Sequence, residues 1–453
     1  MPFKFRPVEE SDFLLPPSLQ EWLPEDHLAR FVVDIVKSLD LKELEEVYAG
    51  CGSPPYHPAT LLALLFYGYA TGVFSSRKIE TATYDSVAFR FIAANQHPDH
   101  STISEFRKRF LPQLEALFVQ ILAIAHAMGL LKLGTISLDG TKVKANASKH
   151  KALSWDHANK LEKQLKAEVE QLMQMANKAD EDEEDVPDEM NIPEELTRRE
   201  ERLERIAQAK AEIEARAKAR YEQEKAEYEQ KVARREEAER KTGKKPRGKE
   251  PKPPSPEPKG KDQVNLTDED SRIMPGSGKE FKQAYNCQAA VEIDSMLIVE
   301  DHVSQNANDK QELKPALKKL DNVPEELGKT DGTLADSGYY SKSNVDECEA
   351  RGITPYIPEG RQPHHPTLEQ RFSEPAEIPE DADSVSTMKH RMATSEGKKL
   401  YAKRKSTVEP VFGIIKHVMG FRQFLLRGYK AVQGEWNLVC IAFNLKRMHT
   451  LTR

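Results

Sequence analysis

The chain has only four cysteines, Cys51, Cys287, Cys348 and Cys440, in 453 residues. No two of them stand in a C-x-x-C spacing, so a thiolate zinc site or a disulfide framework is not expected, and buried thiols are. No uninterrupted apolar stretch reaches the ~18 residues that a membrane span requires. The opening MPFKFRPVEESDF carries acids where a secretory leader needs an apolar core. These absences lead to the expectation of a cytoplasmic protein that makes no use of a membrane. There is no G-x-x-x-x-G-K-[ST] phosphate loop, which leaves ATP use unsupported. The absence of G-x-S-x-G and H-E-x-x-H weakens serine-hydrolase and zinc-protease readings.

Charge, by contrast, is abundant: 31% of the residues are Asp, Glu, Lys or Arg, and the net charge is −7. That sum hides an uneven distribution. Residues 401–453 carry ten Lys or Arg against two Glu. A basic segment binds phosphate locally whatever the global balance. Residues 151–260 hold 25 basic and 28 acidic side chains, about half of the segment. Such a stretch favours long solvated helices with charge pairs three and four apart, compatible with a coiled-coil hairpin, followed by a Lys- and Pro-rich linker at 241–261.

Residues 1–130 read as helical. Pro58 opens an apolar helix, Ser75 is placed to cap the next, and Thr102 with Glu105 has capping-box spacing. Arg107, Lys108 and Arg109 follow on that last helix. A short basic helix after a turn has the shape of a helix-turn-helix reader, so Arg107 and Arg109 are candidate DNA contacts. The competing reading is an ordinary amphipathic helix in a bundle. His97 and His100 flank Pro98-Asp99, a turn former, and a loop role outweighs metal ligation.

The period then changes. Gly134 to Val143 alternates as a strand that ends near the Asp139-Gly140 turn signal. Residues 281–304 read as a hairpin, 311–320 as a helix, 333–340 as a strand ending in a turn, 343–350 as a helix and 353–357 as a strand. Residues 358–395 are expected to be loop, and 398–418 and 432–449 two helices. Strands alternating with helices predict a mixed α/β sheet covered by helices. The block 155–261 reads as an insertion.

Three acids have the right settings for phosphoryl transfer. Asp139 and Asp336 each follow a short apolar stretch and precede a glycine, and ligands in open α/β sheets lie at strand ends. Alone, each is as well explained as a turn-forming Asp. Glu409 lies on a predicted helix whose Val408, Phe412 and Ile415 face inward, with Lys416 two turns on. Ser406 and Glu409 also fit a capping box, with Pro410 supporting a helix start.

The series Tyr401, Arg404, Glu409, Lys416 resembles the Y-R-E-K signature of DDE transposases from bacterial insertion sequences. Ala335-Asp336-Ser337-Gly338-Tyr339 resembles that family's second-aspartate motif, and Ser137-Leu138-Asp139-Gly140-Thr141-Lys142 its first-aspartate strand. Residues 286–294 and 305–310 are similar to the hairpin and helix start between them. Four residues separate Arg404 from Glu409 where many members have three, which leaves Lys405 as the alternative cation. The resemblance implies a ribonuclease-H-like domain over 131–154 and 262–453, a helical DNA-binding domain over 1–130, and a charged helical insertion over 155–261. It implies two Mg2+ (or Mn2+) ions held by Asp139, Asp336 and Glu409, with Tyr401, Arg404, Lys416 and Lys142 on DNA. It further implies terminal inverted repeats and target DNA as partners, a dimer or larger synaptic complex, and a nucleoid-associated location in a bacterial cytoplasm. The alternative is a DNA-binding regulator of the same descent with no catalysis.

Overall fold

The computed structural model describes residues 18–48, 55–148, 151–181, 191–243, 248–276, 280–360, 374–375, 377–379 and 382–453. The chain divides into two compact units, one of Met1–Lys144 with Tyr285–Arg453, the other Ala145–Ala284. Cys51 and much of the 180–189 acidic patch lie outside the described residues.

In the first unit the amino-terminal part is helical, as the periodicity predicts. Its longest helices are Pro58–Thr71 and Leu114–Ala127. Pro58 opens the first because its missing N–H is an orphan there anyway, and Gly72 ends it in the left-handed region at φ 85°. The helical run His100–Ala127 is long and apolar enough to cross a bilayer by length and composition. Its Leu114, Leu117, Phe118, Ile121 and Leu122 are core residues of this unit. The helix His100–Phe110 starts differently from expectation: Asp99, not Thr102, is the N-cap, accepting from the N–H groups of Ser101 and Thr102. An Asp one residue before the helix outcompetes a Thr already inside it.

The sheet is mixed. Strand β1 (Leu133–Lys144) is followed, after the second unit's β2 (Ala152–Ser154), β3 (Gln263–Asn265) and β4 (Arg272–Pro275), by β5 (Phe281–Glu292) and β6 (Ile298–Ser304), then β7 (Gly328–Leu334) and β8 (Thr354–Tyr356). Within the sheet β5–β1–β7–β8 lie in that order, and β4 and β6 each pair with β5. Strands β5 and β6 form the predicted antiparallel hairpin, while β1–β7 and β7–β8 are parallel. Strand β1 corrects one expectation. It does not stop at Asp139-Gly140 but continues to Lys144. The alternation resumes with Thr141 and Val143 buried, so the pleat outweighs the Asp-Gly turn preference.

The hairpin's β5 is buried from Gln283 through Glu292, and the helix Tyr429–Leu451 covers β6. Trp436 on that helix is wholly buried and donates through Nε1 to the Gln288 carbonyl at 3.0 Å. The three described cysteines are buried free thiols, with Cys348 pushed up to about 12 by burial. The expected loop at 358–395 contains a helix, Ser384–Ala393, capped by Asp383 accepting from the Ser386 N–H. The Pro-rich composition before it masked that start.

The second unit is a helical hairpin on a small antiparallel pair. Helices Trp155–Glu181 and Ile192–Thr242 pack through Ala158, Leu165, Ile206, Ala209 and Ile213, together with Leu153 of β2 and Val264 of β3. Sparse apolar positions suffice because ion pairs line the seam, including Lys210–Glu162 and Arg199–Glu168 at 2.6 and 2.8 Å. Residues 248–258 have almost no regular structure.

Candidate active site

Register explains why two distant aspartates meet. In the parallel β1–β7 pair the last register partners are Ser137 and Leu334. Asp139 and Asp336 each stand two residues further on. Parallel neighbours run about 4.8 Å apart, so both carboxylates emerge at one level of the sheet. Asp336 leaves β7 and caps a single turn, Ser337–Tyr339, accepting from the Gly338 N–H at 2.8 Å. Asp139 accepts from its neighbour Gly140 N–H at 2.8 Å. Burial pushes the Asp139 carboxyl up to about 6; Gly140 and Arg404 pull against this, and the Asp336 charge adds to it.

Glu409 arrives on the helix Ser395–Gly413, which packs on β1 through a face that includes buried Val408, Val411 and Phe412. The capping-box alternative for Glu409 does not hold. The helix starts fourteen residues earlier, capped by Thr394, and Ser406 donates to the Lys403 carbonyl. Pro410 sits inside the helix, and a π turn, Ile414–Val418, follows it. Such turns re-aim side chains locally. Here Lys416, on the π turn, donates to Thr141 Oγ1 on β1.

Arg404 joins these acids. Its guanidinium donates to Asp139 Oδ2 at 3.2 Å and to Glu409 Oε1 at 3.1 Å. Its side chain is 11% exposed and that of Glu409 is 50%. Tyr401, one turn earlier, is mostly buried beside Arg404, and burial raises its hydroxyl above the ordinary value. Lys405, the alternative cation, is exposed. Among the described residues no three His, Cys, Asp or Glu side chains form a closed metal-binding group. The Arg404 guanidinium lies between the strand acid and the helix acid instead.

The remaining candidates separate. Lys142, on β1, pairs with Asp309 at 3.3 Å. Arg109 is on the surface, over the rings of Tyr48 and Phe110. Arg107 is turned inward. It is 7% exposed and donates to the Tyr69 hydroxyl and the Phe74 carbonyl, both at 3.1 Å. Tyr69 in turn donates to buried Glu435 at 2.9 Å. This stands against the expectation of an Arg107 phosphate contact, because the guanidinium is turned into the fold and bonds an internal hydroxyl and a main-chain carbonyl. His97 stacks on Tyr84 at 3.9 Å and His100 bonds Glu80 at 2.7 Å, both structural roles.

Sequence reasoning missed Asp309, Asn286 and Gln288. Asp309 adds a further negative charge felt by Asp139. The available signal was the pair of amides at alternate positions in β5, an otherwise apolar strand.

Two family models match the chain. A transposase domain covers residues 17–109 and a transposase DDE domain covers residues 251–445. Comparison with curated proteins and with solved structures gave no match. The two models fall in order on the helical amino-terminal part and on the segment that brings Asp336, Arg404 and Glu409 to β1. The chain is a DDE transposase of the insertion-sequence type.

Proposed function

We propose that this transposase binds the terminal inverted repeats of its element, hydrolyses a DNA strand at the element's end, and joins the freed 3′-hydroxyl to target DNA. The observation that carries the reading is that Arg404 bonds both Asp139 and Glu409, while Asp336 leaves the parallel neighbour of the Asp139 strand at the same level of the sheet. The strand order β5–β1–β7–β8, with β6 antiparallel to β5, β1 antiparallel to β5, and β1–β7–β8 parallel, supports a ribonuclease-H-like domain over 131–154 and 262–453. Residues 1–130 are then the DNA-binding part and 155–261 an insertion.

The acids fit a hard divalent cation. Asp336 opposes the ionisation of buried Asp139, and a cationic side chain already sits against two of the three carboxylates. Asp139, Asp336 and Glu409 are the ligands we assign to a pair of Mg2+ or Mn2+ ions. Bound there, the ions would neutralise charge on the attacking and leaving oxygens of an in-line displacement. The protein's own cations do the rest. Lys416 and Lys142, on either side of Asp139, would hold phosphate oxygens, and Arg404 would turn from its acids to the DNA backbone once they are neutralised. Tyr401 would pack on the terminal nucleotides. Arg109 would add a contact that sets affinity and register without reading sequence. Holding two ends together calls for a dimer or larger assembly, working on the nucleoid in the cytoplasm.

The test is a cleavage assay on a duplex bearing one inverted repeat. Asp139→Ala should abolish strand cleavage while leaving binding within a few-fold of the unsubstituted protein. Cleavage by that variant would remove Asp139 from the chemistry. Unsubstituted protein that binds the repeat but cuts under no divalent ion would mark a DNA-binding regulator.

A further inference from the structure

The reaction outlined above leaves Asp309 unused, yet its carboxylate is more tightly held than that of Glu409. It lies in the turn between β6 and the helix Leu313–Leu320. Its Oδ1 accepts from Asn286 Nδ2 at 2.7 Å, Gln288 Nε2 at 2.8 Å and Lys142 Nζ at 3.3 Å. Gln288 passes the connection on, because its Oε1 accepts from the Tyr339 hydroxyl. The chain of bonds thus begins three residues after Asp139 and ends three residues after Asp336.

The turn itself is anchored. Glu312, at its far end, accepts from Ser304 Oγ at 2.7 Å, Asn306 Nδ2 at 2.8 Å and His302 Nε2 at 3.1 Å. Asn286 Nδ2 also reaches the Asn306 carbonyl at 3.1 Å. On the other side the turn meets the backbone that carries Asp139. A β-carbon at Gly140 would overlap Asp309 Oδ1, Gln288 Nε2 and Asn286 Oδ1. A side chain at 140 would have to push these polar groups out of their hydrogen bonds, so the glycine lets the main chain lie against this polar cluster.

Lys142 and Asp309 are each 21% exposed, so their pair is open on one side. A lysine ammonium has three donors on a flexible stem. With one donor spent on Asp309, the others remain available to an anion, and the stem is no longer free to wander.

We propose that Asp309 is a positioning residue for strand cleavage: it aims the Lys142 ammonium at a DNA phosphate oxygen and, through Gln288 and Tyr339, ties the Asp139 segment to the Asp336 turn. The proposal rests on the transposase reading. Misplacing a positioned group costs rate, since the bound phosphate then samples unproductive geometries. It costs little affinity, because affinity is spread over many backbone contacts.

Asp309→Asn keeps the shape and an acceptor oxygen while removing the charge that holds Lys142. In full-length protein, with a terminal-repeat duplex and Mg2+, it should bind within about threefold of the unsubstituted protein and cleave at least about tenfold more slowly in a single turnover. Lys142→Met should slow cleavage by a similar factor. The double variant should be no slower than the slower single, because both remove one interaction. Normal cleavage by Asp309→Asn, or a double variant showing the product of the two single losses, would overturn the assignment. If Asp309→Asn fails to fold, the lysine decides: Lys142→Met must lose cleavage at an unchanged melting temperature and Lys142→Arg must recover part of it. Normal cleavage by Lys142→Met would end the proposal. Asp139→Asn run alongside separates the two failures. Cleavage by that variant defeats the transposase reading, whereas a dead Asp139→Asn beside a fully active Asp309→Asn defeats only the role given to Asp309.

Discussion

Arg404 bonds Asp139 of strand β1 at 3.2 Å and Glu409 of its own helix at 3.1 Å. One guanidinium therefore neutralises acids that arrive from separate elements. With Asp139 and Glu409 as the metal ligands proposed above, a metal ion and this side chain would compete for the same carboxylates. Replacing Arg404 with Ala should tighten Mn2+ binding to the DNA-free protein by about tenfold, roughly 1.4 kcal/mol. It should also lower the melting temperature in the absence of metal, since Asp139 is largely buried and loses its ionic partner. Mn2+ titration followed by electron paramagnetic resonance measures the first effect. Unchanged affinity would show that the guanidinium does not compete.

Arg107 and Arg109 are two positions apart on one helix and should behave as opposites. Arg107→Ala leaves buried Tyr69 and Glu435 without their cation. A loss of about 3–5 kcal/mol is expected from breaking such a buried arrangement. Arg109→Ala should leave the melting temperature within about 2 °C and lower the slope of log affinity for DNA against log salt by roughly one phosphate contact. Chemical denaturation and salt-dependent fluorescence anisotropy check the pair. A stable Arg107→Ala with weakened DNA binding would reverse the assignment.

Stability should fall on the alkaline side. His302 lies between Glu300 at 2.8 Å and Glu312 at 3.1 Å. Burial opposes its charge, but the two acids more than offset this and raise it to about 9. A histidine held above its unfolded value of 6.5 contributes stability in full below that pH. The contribution is lost as pH rises through about 9. The loss should be on the order of 3 kcal/mol between those limits. Denaturation midpoints from pH 6 to 10 measure it, and His302→Gln should flatten the curve. An equally steep fall in that variant would place the effect elsewhere.

The alternation of 134–143, the hairpin after residue 281 and the periodicity of 398–418 and 432–449 were enough to read the elements that carry the site. They report on local faces, and local faces are what a sheet and its covering helix bury. What the sequence withheld were partnerships over long separations. Nothing around Arg107 points to Glu435, and a basic helix face looks the same whether its arginine meets phosphate or a buried acid. The Asp139-Gly140 pair read as a turn because the glycine's purpose, room for Asp309, lies in another segment. Ser406 and Glu409 matched a cap by spacing alone, while the packing of Val408 and Phe412 kept the helix running through them. Asp309 went unread because a turn aspartate before a helix has an ordinary local explanation.

The β2–β3 pair has a consequence for how the chain assembles. Strands β1 and β5 are neighbours in the sheet, yet more than a hundred residues intervene between them. Ala152 lies opposite Asn265, so the long excursion is fastened at its base. Once that clasp and the small core above it have formed, β1 and β5 are joined by an effectively short connection, and the entropy of closing a large loop is already met within the insertion. Helix-rich hairpins form from near neighbours faster than sheets form from distant strands. The nascent protein can therefore complete the excursion first and zip the central strands afterwards. The same fastening means that a change in the length of the two long helices would leave the β2–β3 clasp, and with it the spacing of β1 from β5, as it is.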